Sequence, residues 1–308
     1  MQPTVEILLA AYNGERFLRE QLDSLLAQTW GAWHLTVSDD GSSDGTPAIL
    51  DEYAACHPDR IRRVRHEGRF GNARDHFFWL MKECEASYMM FCDQDDVWHP
   101  NKVEKTMRAL LAAEAEAGAD MPLLVFTDLT PTDEKLRPIA SSLMKMQKQN
   151  PTATDYRNIL FQNIVTGCTS ALNRPLARLA EQCTTPKETI MHDWWLALVA
   201  GRFGRMVYIG DSTMFYRQHR ENSVGAQAVD TLPYIFYKLS HMTVFQKSTE
   251  DKKRQAATFL KTYTDALSAE EKRFLEAFSA RRSPLNFKLS YLKWITTLLR
   301  KGGFLARW

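Results

Sequence analysis

Short apolar runs alternate with amphipathic stretches through the first half of the chain. Val5, Ile7, Leu8, Leu9, Ala10 and Ala11 make a bounded apolar run that predicts a strand over 5–11. The turn cluster Tyr12-Asn13-Gly14-Glu15 ends it. A helix over 16–28 follows, with Phe17, Leu18, Leu22, Leu25 and Leu26 on one face. Residues 33–38 alternate as a strand does and stop at Asp39-Asp40-Gly41-Ser42-Ser43-Asp44-Gly45-Thr46. Pro47 then opens a helix to residue 56, with Thr46 as its expected cap. A third strand over 61–65, a loop over 68–72 and a helix over 73–84 lead to the apolar run 88–92, which predicts a buried strand. Another helix over 101–117 and a strand over 123–127 continue the alternation. This order predicts an α/β fold: a mainly parallel sheet flanked by helices.

Past Asp128 the pattern loosens. Residues 130–151 are polar and rich in Met, Lys and Gln, and are expected to form a long mobile loop. Helices are expected over 156–162, 175–183 and 193–200, and strands over 206–209 and 213–216. Beyond residue 226 the pattern predicts helices only, over 232–246, 252–264 and 269–278. The chain therefore divides into a domain over 1–225 and a helical appendage over 226–308.

Candidate chemistry concentrates at the strand ends. Asp93, Asp95 and Asp96 follow the strand over 88–92 directly, at the edge where open α/β sheets hold their ligands. Three such close charges repel one another unless a cation or protons neutralise them. Oxygen-only ligands suit a hard divalent ion, Mg²⁺ or Mn²⁺, which shares its shell with substrate phosphates. An acidic solvated turn ahead of Pro100 accounts equally well for the spacing alone. The strands before Tyr12 and before Asp39 also end in ligand-type residues, however, and three loaded loops on one sheet edge favour a site.

Composition narrows the classes. A net charge of +2 disfavours a nucleic-acid binder held by bulk electrostatics. Cys56, Cys84, Cys92, Cys168 and Cys183 make no CxxC pair and no finger spacing, which suits reduced thiols in the cytoplasm. The N-terminus has no basic flank before a long apolar segment, and no run is long enough to span a bilayer. A cytoplasmic catalytic part is expected.

Four separated stretches in order carry a resemblance: Ala10-Ala11-Tyr12-Asn13-Gly14-Glu15, Asp39-Asp40-Gly41-Ser42-Ser43-Asp44-Gly45-Thr46, Asp93-Gln94-Asp95-Asp96 and Met191-His192-Asp193-Trp194-Trp195. Over residues 4–225 the chain resembles a family-two glycosyltransferase of the GT-A fold. Cys92 to Trp98, and Tyr216-Arg217-Gln218-His219 followed by Asn222-Ser223, are similar to the bacterial rhamnosyltransferase-like branch. The resemblance implies a sugar-nucleotide donor, UDP- or dTDP-linked, with Ala10, Tyr12, Asn13 and Glu15 beside the nucleotide. It implies stacking of Tyr12 on the base and a hydrogen bond from the pyrimidine ring N–H to Asp40. Asn72 and Arg74 fall in the loop where such enzymes meet the nucleotide. Asp95 would ligate the Mn²⁺ or Mg²⁺ ion, with Asp93 and Gln94 on the donor side and Asp96 orienting the sugar or capping a helix. His219 is expected as a further metal ligand or diphosphate contact, Arg217 as a phosphate neutraliser, and Gly167 as room for the sugar. Asp193 would be the catalytic base, taking the acceptor hydroxyl proton as its oxygen attacks the anomeric carbon, with inversion. It would also serve as the N-cap of its helix. His192 replaces the family's commoner Glu at that point and receives no role.

From Arg281 onward the chain carries no acidic residue, while seven Lys and Arg interleave with Leu, Phe, Tyr, Trp and Ile. That composition suits a helix lying on an anionic membrane, next to a lipid-linked acceptor; a helix docked on protein fits it too. The implied enzyme serves bacterial surface polysaccharide, O-antigen included, at the cytoplasmic face of the inner membrane. Two rival readings differ in class. A sugar-phosphate nucleotidylyltransferase would need a Gly-rich basic loop after the first strand, where Tyr12-Asn13-Gly14-Glu15 stands. A non-catalytic nucleotide-sugar or glycan binding module has no need of both Asp95 and Asp193.

Overall fold

The computed structural model describes residues 2–219 and 242–280. The chain divides into two compact units, residues 1–226 and 227–308. In the first, β1 (Val5–Ala11), β2 (Trp33–Asp39), β3 (Ile61–Val64), β4 (Tyr88–Asp93), β5 (Val97–Trp98), β6 (Leu123–Thr132), β7 (Ser170–Asn173) and β8 (Arg205–Arg217) form one eight-stranded sheet, ordered β3-β2-β1-β4-β7-β6-β8-β5. The pairs β2–β3, β1–β2, β1–β4 and β6–β8 are parallel, and β4–β7, β6–β7 and β5–β8 are antiparallel. β1 and β4 are apolar on both faces but for Glu6 and the terminal Asp93, as strands covered by helices on both sides are. Those helices are α1 (Leu18–Leu26), α2 (Thr46–Cys56), α3 (Ala73–Lys82), α4 (Lys102–Ala117), α5 (Leu143–Met146), α6 (Tyr156–Phe161), α7 (Arg174–Ala180) and α8 (His192–Phe203). The α/β sheet flanked by helices is as the sequence pattern predicts.

Several expectations are corrected. α2 begins at Thr46 with Gly45 in the cap position, and Asp44 Oδ1 accepts from the Thr46 N–H (3.0 Å). The hydroxyl of Thr46 is taken instead by the Gly14 N–H (2.8 Å). The segment expected as a loop from residue 130 opens as the end of β6, every residue of which is buried, and contains α5. The strands expected over 206–209 and 213–216 are one strand, β8, which absorbs a register shift opposite Thr127 and Asp128. β7 was not expected; its run of four residues is too short to show a period.

In the second unit, helices Met242–Thr262 and Ala269–Ala280 pack together around Ala256, Phe259, Tyr263, Leu267 and Leu275. Ser268 and Glu271 form a reciprocal capping box, with Ser268 N–H donating to Glu271 Oε2 (2.8 Å) and Glu271 N–H to Ser268 Oγ (3.3 Å). Residues 232–241 of the expected aromatic helix, and the basic stretch from Arg281, lie outside the described residues. Among the described residues no helix is long and apolar enough to cross a membrane.

Candidate functional site

Strand register gathers the candidate loops. Ala11 lies beside Asp39 and Ala10 beside Asp93, so β1, β2 and β4 end level with one another. The first two loops are laced together. Asn13, at a φ of 47°, donates its N–H to Ser42 Oγ (2.8 Å), and its Oδ1 accepts from Ser43 N–H (2.9 Å). Glu15 Oε2 accepts from the Gly45 N–H (2.8 Å). Gly14 packs on Gln94, where a Cβ would stand 2.5 Å from the Gln94 side chain. Asn13, Glu15 and Gln94 thus tie these loops to one another, while Tyr12 is exposed and its ring lies 4.4 Å from the Arg69 guanidinium.

Asp40 is buried and ties a third loop to the same edge: its Oδ1 accepts from Phe70 N–H (2.6 Å) and its Oδ2 from Gly71 N–H (2.8 Å). Gly68 and Gly71 take positive φ (73° and 71°) to let that loop fold back. Asn72, expected at the nucleotide, caps α3 by accepting from the Asp75 N–H (2.9 Å). Arg74 braces α3 to the segment before α8, donating to the Thr189 carbonyl (2.9 Å).

The acidic stretch meets the end of β8 because β5 pairs antiparallel with it. Val97 lies opposite Phe215, which brings Asp95 and Asp96 across from Arg217. His219 Nε2 then lies 2.7 Å from Asp95 Oδ2, so a nitrogen from the segment after β8 and an oxygen from the turn after β4 converge. Asp96 is fully buried; its Oδ1 accepts from the Arg217 N–H (3.2 Å), and its Oδ2 has no partner among the described residues. It is therefore no helix cap; Asn101 precedes α4. Burial, reinforced by the charge of Asp95, pushes the Asp93 carboxyl up to about 7 and Asp96 well above the usual carboxylate range. Lys102, also fully buried, points at Thr213 (3.2 Å); burial brings it down to about 8, and the nearby thiols and Asp96 oppose that shift. Cys168 reaches the same cluster: its sulfur and one oxygen each of Asp93 and Asp96 lie within 4.8 Å of one another. Raised carboxyls and an unpartnered oxygen are what a cation-binding cluster shows before its cation binds, and the residues present fit a divalent ion.

Arg217, expected to neutralise phosphate, is buried instead beneath this loop. Its guanidinium donates to the Asp95 carbonyl (2.8 Å), the Glu134 carbonyl and Glu20 Oε2 (2.7 Å), and lies 4.3 Å over the Phe17 ring. Arg217→Met keeps the stem but strands these acceptors. It is expected to lower stability by about 2–4 kcal/mol in chemical denaturation.

Asp193 is the second residue of α8, not its cap; Met191 holds that place. Asp193 Oδ2 accepts from Gly167 N–H (2.9 Å), and its Oδ1 from Trp194 N–H and Asn163 Nδ2 (3.3 Å). Burial lifts the carboxyl to about 7 against these donors, and its charge in turn raises Asp93, so the two share one site. Gly167 is required there: a Cβ would stand 2.6 Å from His192 Nε2. His192 is buried against Phe77 and Phe91 (ring centroids 4.4 and 4.8 Å), and burial lowers it to about 3, so it is neutral. Trp195 is fully buried in the core, and Trp194 donates from its ring nitrogen to the Ile159 carbonyl (2.6 Å).

The structure therefore brings Asp93, Asp95, Asp96, His219, Gly167 and Asp193 to one place, with Ala10, Tyr12, Asn13, Glu15 and Asp40 along the same edge. It places Asn72, Arg74 and Arg217 as braces. Cys168, Lys102 and Asn163 were missed by sequence reasoning. For Cys168 the register carries the signal, since Met90 opposite Ala171 sets residue 168 across from Asp93. Lys102 lies inside a helical pattern and gives none.

The family model for glycosyl transferase family 2 matches residues 6–174, more than half of the chain. The chain is 27% identical to the dTDP-rhamnosyl transferase RfbG of Shigella flexneri, over 71% of this chain and 74% of that one. Its fold is similar to that of S. aureus TarS 1–349 in complex with UDP (TM-score 0.57, 15% identity, 99% of this chain and 75% of that one). It is also similar to the mannosyltransferase PcManGT of Pyrobaculum calidifontis in complex with GDP-Man and Mn²⁺ (TM-score 0.52, 16% identity, 96% and 81% covered). The chain belongs to glycosyl transferase family 2: it has the GT-A fold and is a glycosyltransferase.

Proposed function

We propose that this family-two glycosyltransferase moves rhamnose from a dTDP-linked donor to a glycan or lipid-linked acceptor, with inversion, in bacterial surface polysaccharide synthesis. The observation that carries the reading is the convergence of the Asp93–Asp95–Asp96 cluster, His219 and Asp193 on one sheet edge. The likeness to a dTDP-rhamnosyl transferase supports the choice of donor. Tyr12, exposed beneath Arg69, offers its face to the base, and each Asp40 oxygen keeps a lone pair for the ring N–H.

Asp95 and His219 would hold the divalent cation, which when bound neutralises charge growing on the departing diphosphate. An imidazole in the ligand set favours Mn²⁺ over Mg²⁺. Asp193 takes the acceptor hydroxyl proton while the oxygen attacks opposite the leaving group. The basic, apolar sequence after Arg281 supports a place at the cytoplasmic face of the inner membrane.

The reading is tested by offering dTDP-rhamnose, UDP-glucose and UDP-N-acetylglucosamine with Mn²⁺ and determining the product's anomeric configuration by NMR. Transfer from dTDP-rhamnose with inversion is expected; retention excludes the single-base mechanism. A pH profile follows as well. A base near 7 is protonated below that pH, so kcat/KM falls about tenfold per unit on the acid side. Saturating Mn²⁺ adds positive charge nearby and moves the midpoint down from 7, never up. An acid limb that climbs with added Mn²⁺ contradicts the assignment.

A further inference from the structure

Asp193 receives donors from three groups, and they differ in kind. The Gly167 and Trp194 donors are backbone N–H groups, fixed by the chain path. The third is the Asn163 side chain, the one donor of the set that a substitution can alter. Asn163 is itself held rigidly: its Nδ2 also donates to the Val165 carbonyl (2.7 Å), and its Oδ1 accepts from the Val165 N–H (3.0 Å). The amide orientation is thereby fixed, with the NH₂ group toward the carboxylate. Oδ1 of Asp193 takes two donors and Oδ2 one, so Oδ2 is the freer oxygen.

We infer that Asn163 is a positioning residue that sets both the proton affinity and the aim of the Asp193 carboxylate, leaving Oδ2 to receive the acceptor proton. The inference rests on Asp193 being the base. The physical reason is a balance. Burial alone drives the carboxyl upward, and donors to its charged form draw it back toward the working pH, where a general base is most effective. Among the described residues, two titratable groups bear on Asp193. Asp93, at the end of β4, adds a like charge, and His192, its helix neighbour, stays neutral. Neither supplies positive charge, and among the described residues it is hydrogen bonds that hold the base down.

The test is the pH dependence of kcat/KM for Asn163→Ala, Asn163→Ser and Asn163→Asp at fixed Mn²⁺, each checked for folding by circular dichroism and for dTDP binding by calorimetry. Losing the donor is expected to move the acid-limb midpoint up by about one unit in the Ala variant. A like charge in its place moves it further, about two units in the Asp variant. The Ser variant, with a shorter donor, is expected between Ala and the unmutated chain. A merely structural role lowers melting temperature and activity at every pH with the midpoint unmoved, and that result overturns the inference. If Asp193→Asn keeps activity, the base assignment itself fails, which is a different outcome from an unmoved midpoint in an enzyme that Asp193→Asn abolishes.

Discussion

Asp193→Asn is expected to lower kcat by about 10²–10⁴-fold, the contribution a positioned general base makes, and to leave dTDP affinity unchanged. Asn keeps the shape of the side chain and an acceptor oxygen for the Gly167 or the Trp194 N–H, so α8 and the 163–167 segment stay in place. What it cannot do is take a proton. Asn also has no charge to lend to Asp93, whose carboxyl is then expected to relax downward, so the acidic cluster attracts a cation no less than before. Steady-state kinetics with saturating donor, beside calorimetry with dTDP and Mn²⁺, separate the two effects. Loss of transfer with retained binding fits a base. Loss of both marks Asp193 as part of the donor pocket, and loss of neither removes it from the mechanism and revives a non-catalytic binding role.

Asp95→Ala is expected to cost on the order of 10³-fold in transfer, since a bound cation supplies several kcal/mol to a charge-separating transition state. It should also abolish the Mn²⁺ dependence of nucleotide binding. The reason is local. Asp95 is buried, its Oδ2 faces His219 Nε2, and its carbonyl accepts from Arg217. The substitution keeps the backbone carbonyl and therefore the Arg217 clamp, so the effect reports the ligand and not the loop. His219→Ala gives a smaller loss, because one ligand oxygen remains. Equal activity of Asp95→Ala at all Mn²⁺ concentrations would move the cation elsewhere in the cluster, to Asp93 and Asp96.

The parallel half of the fold was legible because its central strands are mostly apolar and its helices have one apolar face: Val5–Ala11, apolar but for Glu6, and Ala73–Lys82 are examples. The antiparallel half was harder. β7 has four residues, and β8 carries Gly210-Asp211-Ser212 in mid-strand, which reads as a break yet spans the register shift opposite β6. Site residues showed the same division. Asp93, Asp95 and Asp193 stand out because carboxylates at strand ends or helix starts are chemically conspicuous. Whether an Arg faces substrate or braces a loop depends on strand pairing. Arg217 was misjudged for that reason: the β5–β8 register turns it under the Asp95–Asp96 turn. Asn163 could not be found from sequence, since its partner is 30 residues away across the 163–193 contact.

Titrating dTDP and UDP into the full chain by calorimetry, once with Mn²⁺ and once with EDTA, bears directly on the proposal of a metal-assisted nucleotide-sugar site. The account predicts tight binding of pyrimidine diphosphates with Mn²⁺, weak binding in EDTA, dTDP ahead of UDP, and no Mn²⁺ effect in Asp95→Ala. Binding that is equal in EDTA, or absent for both nucleotides at high concentration, contradicts it.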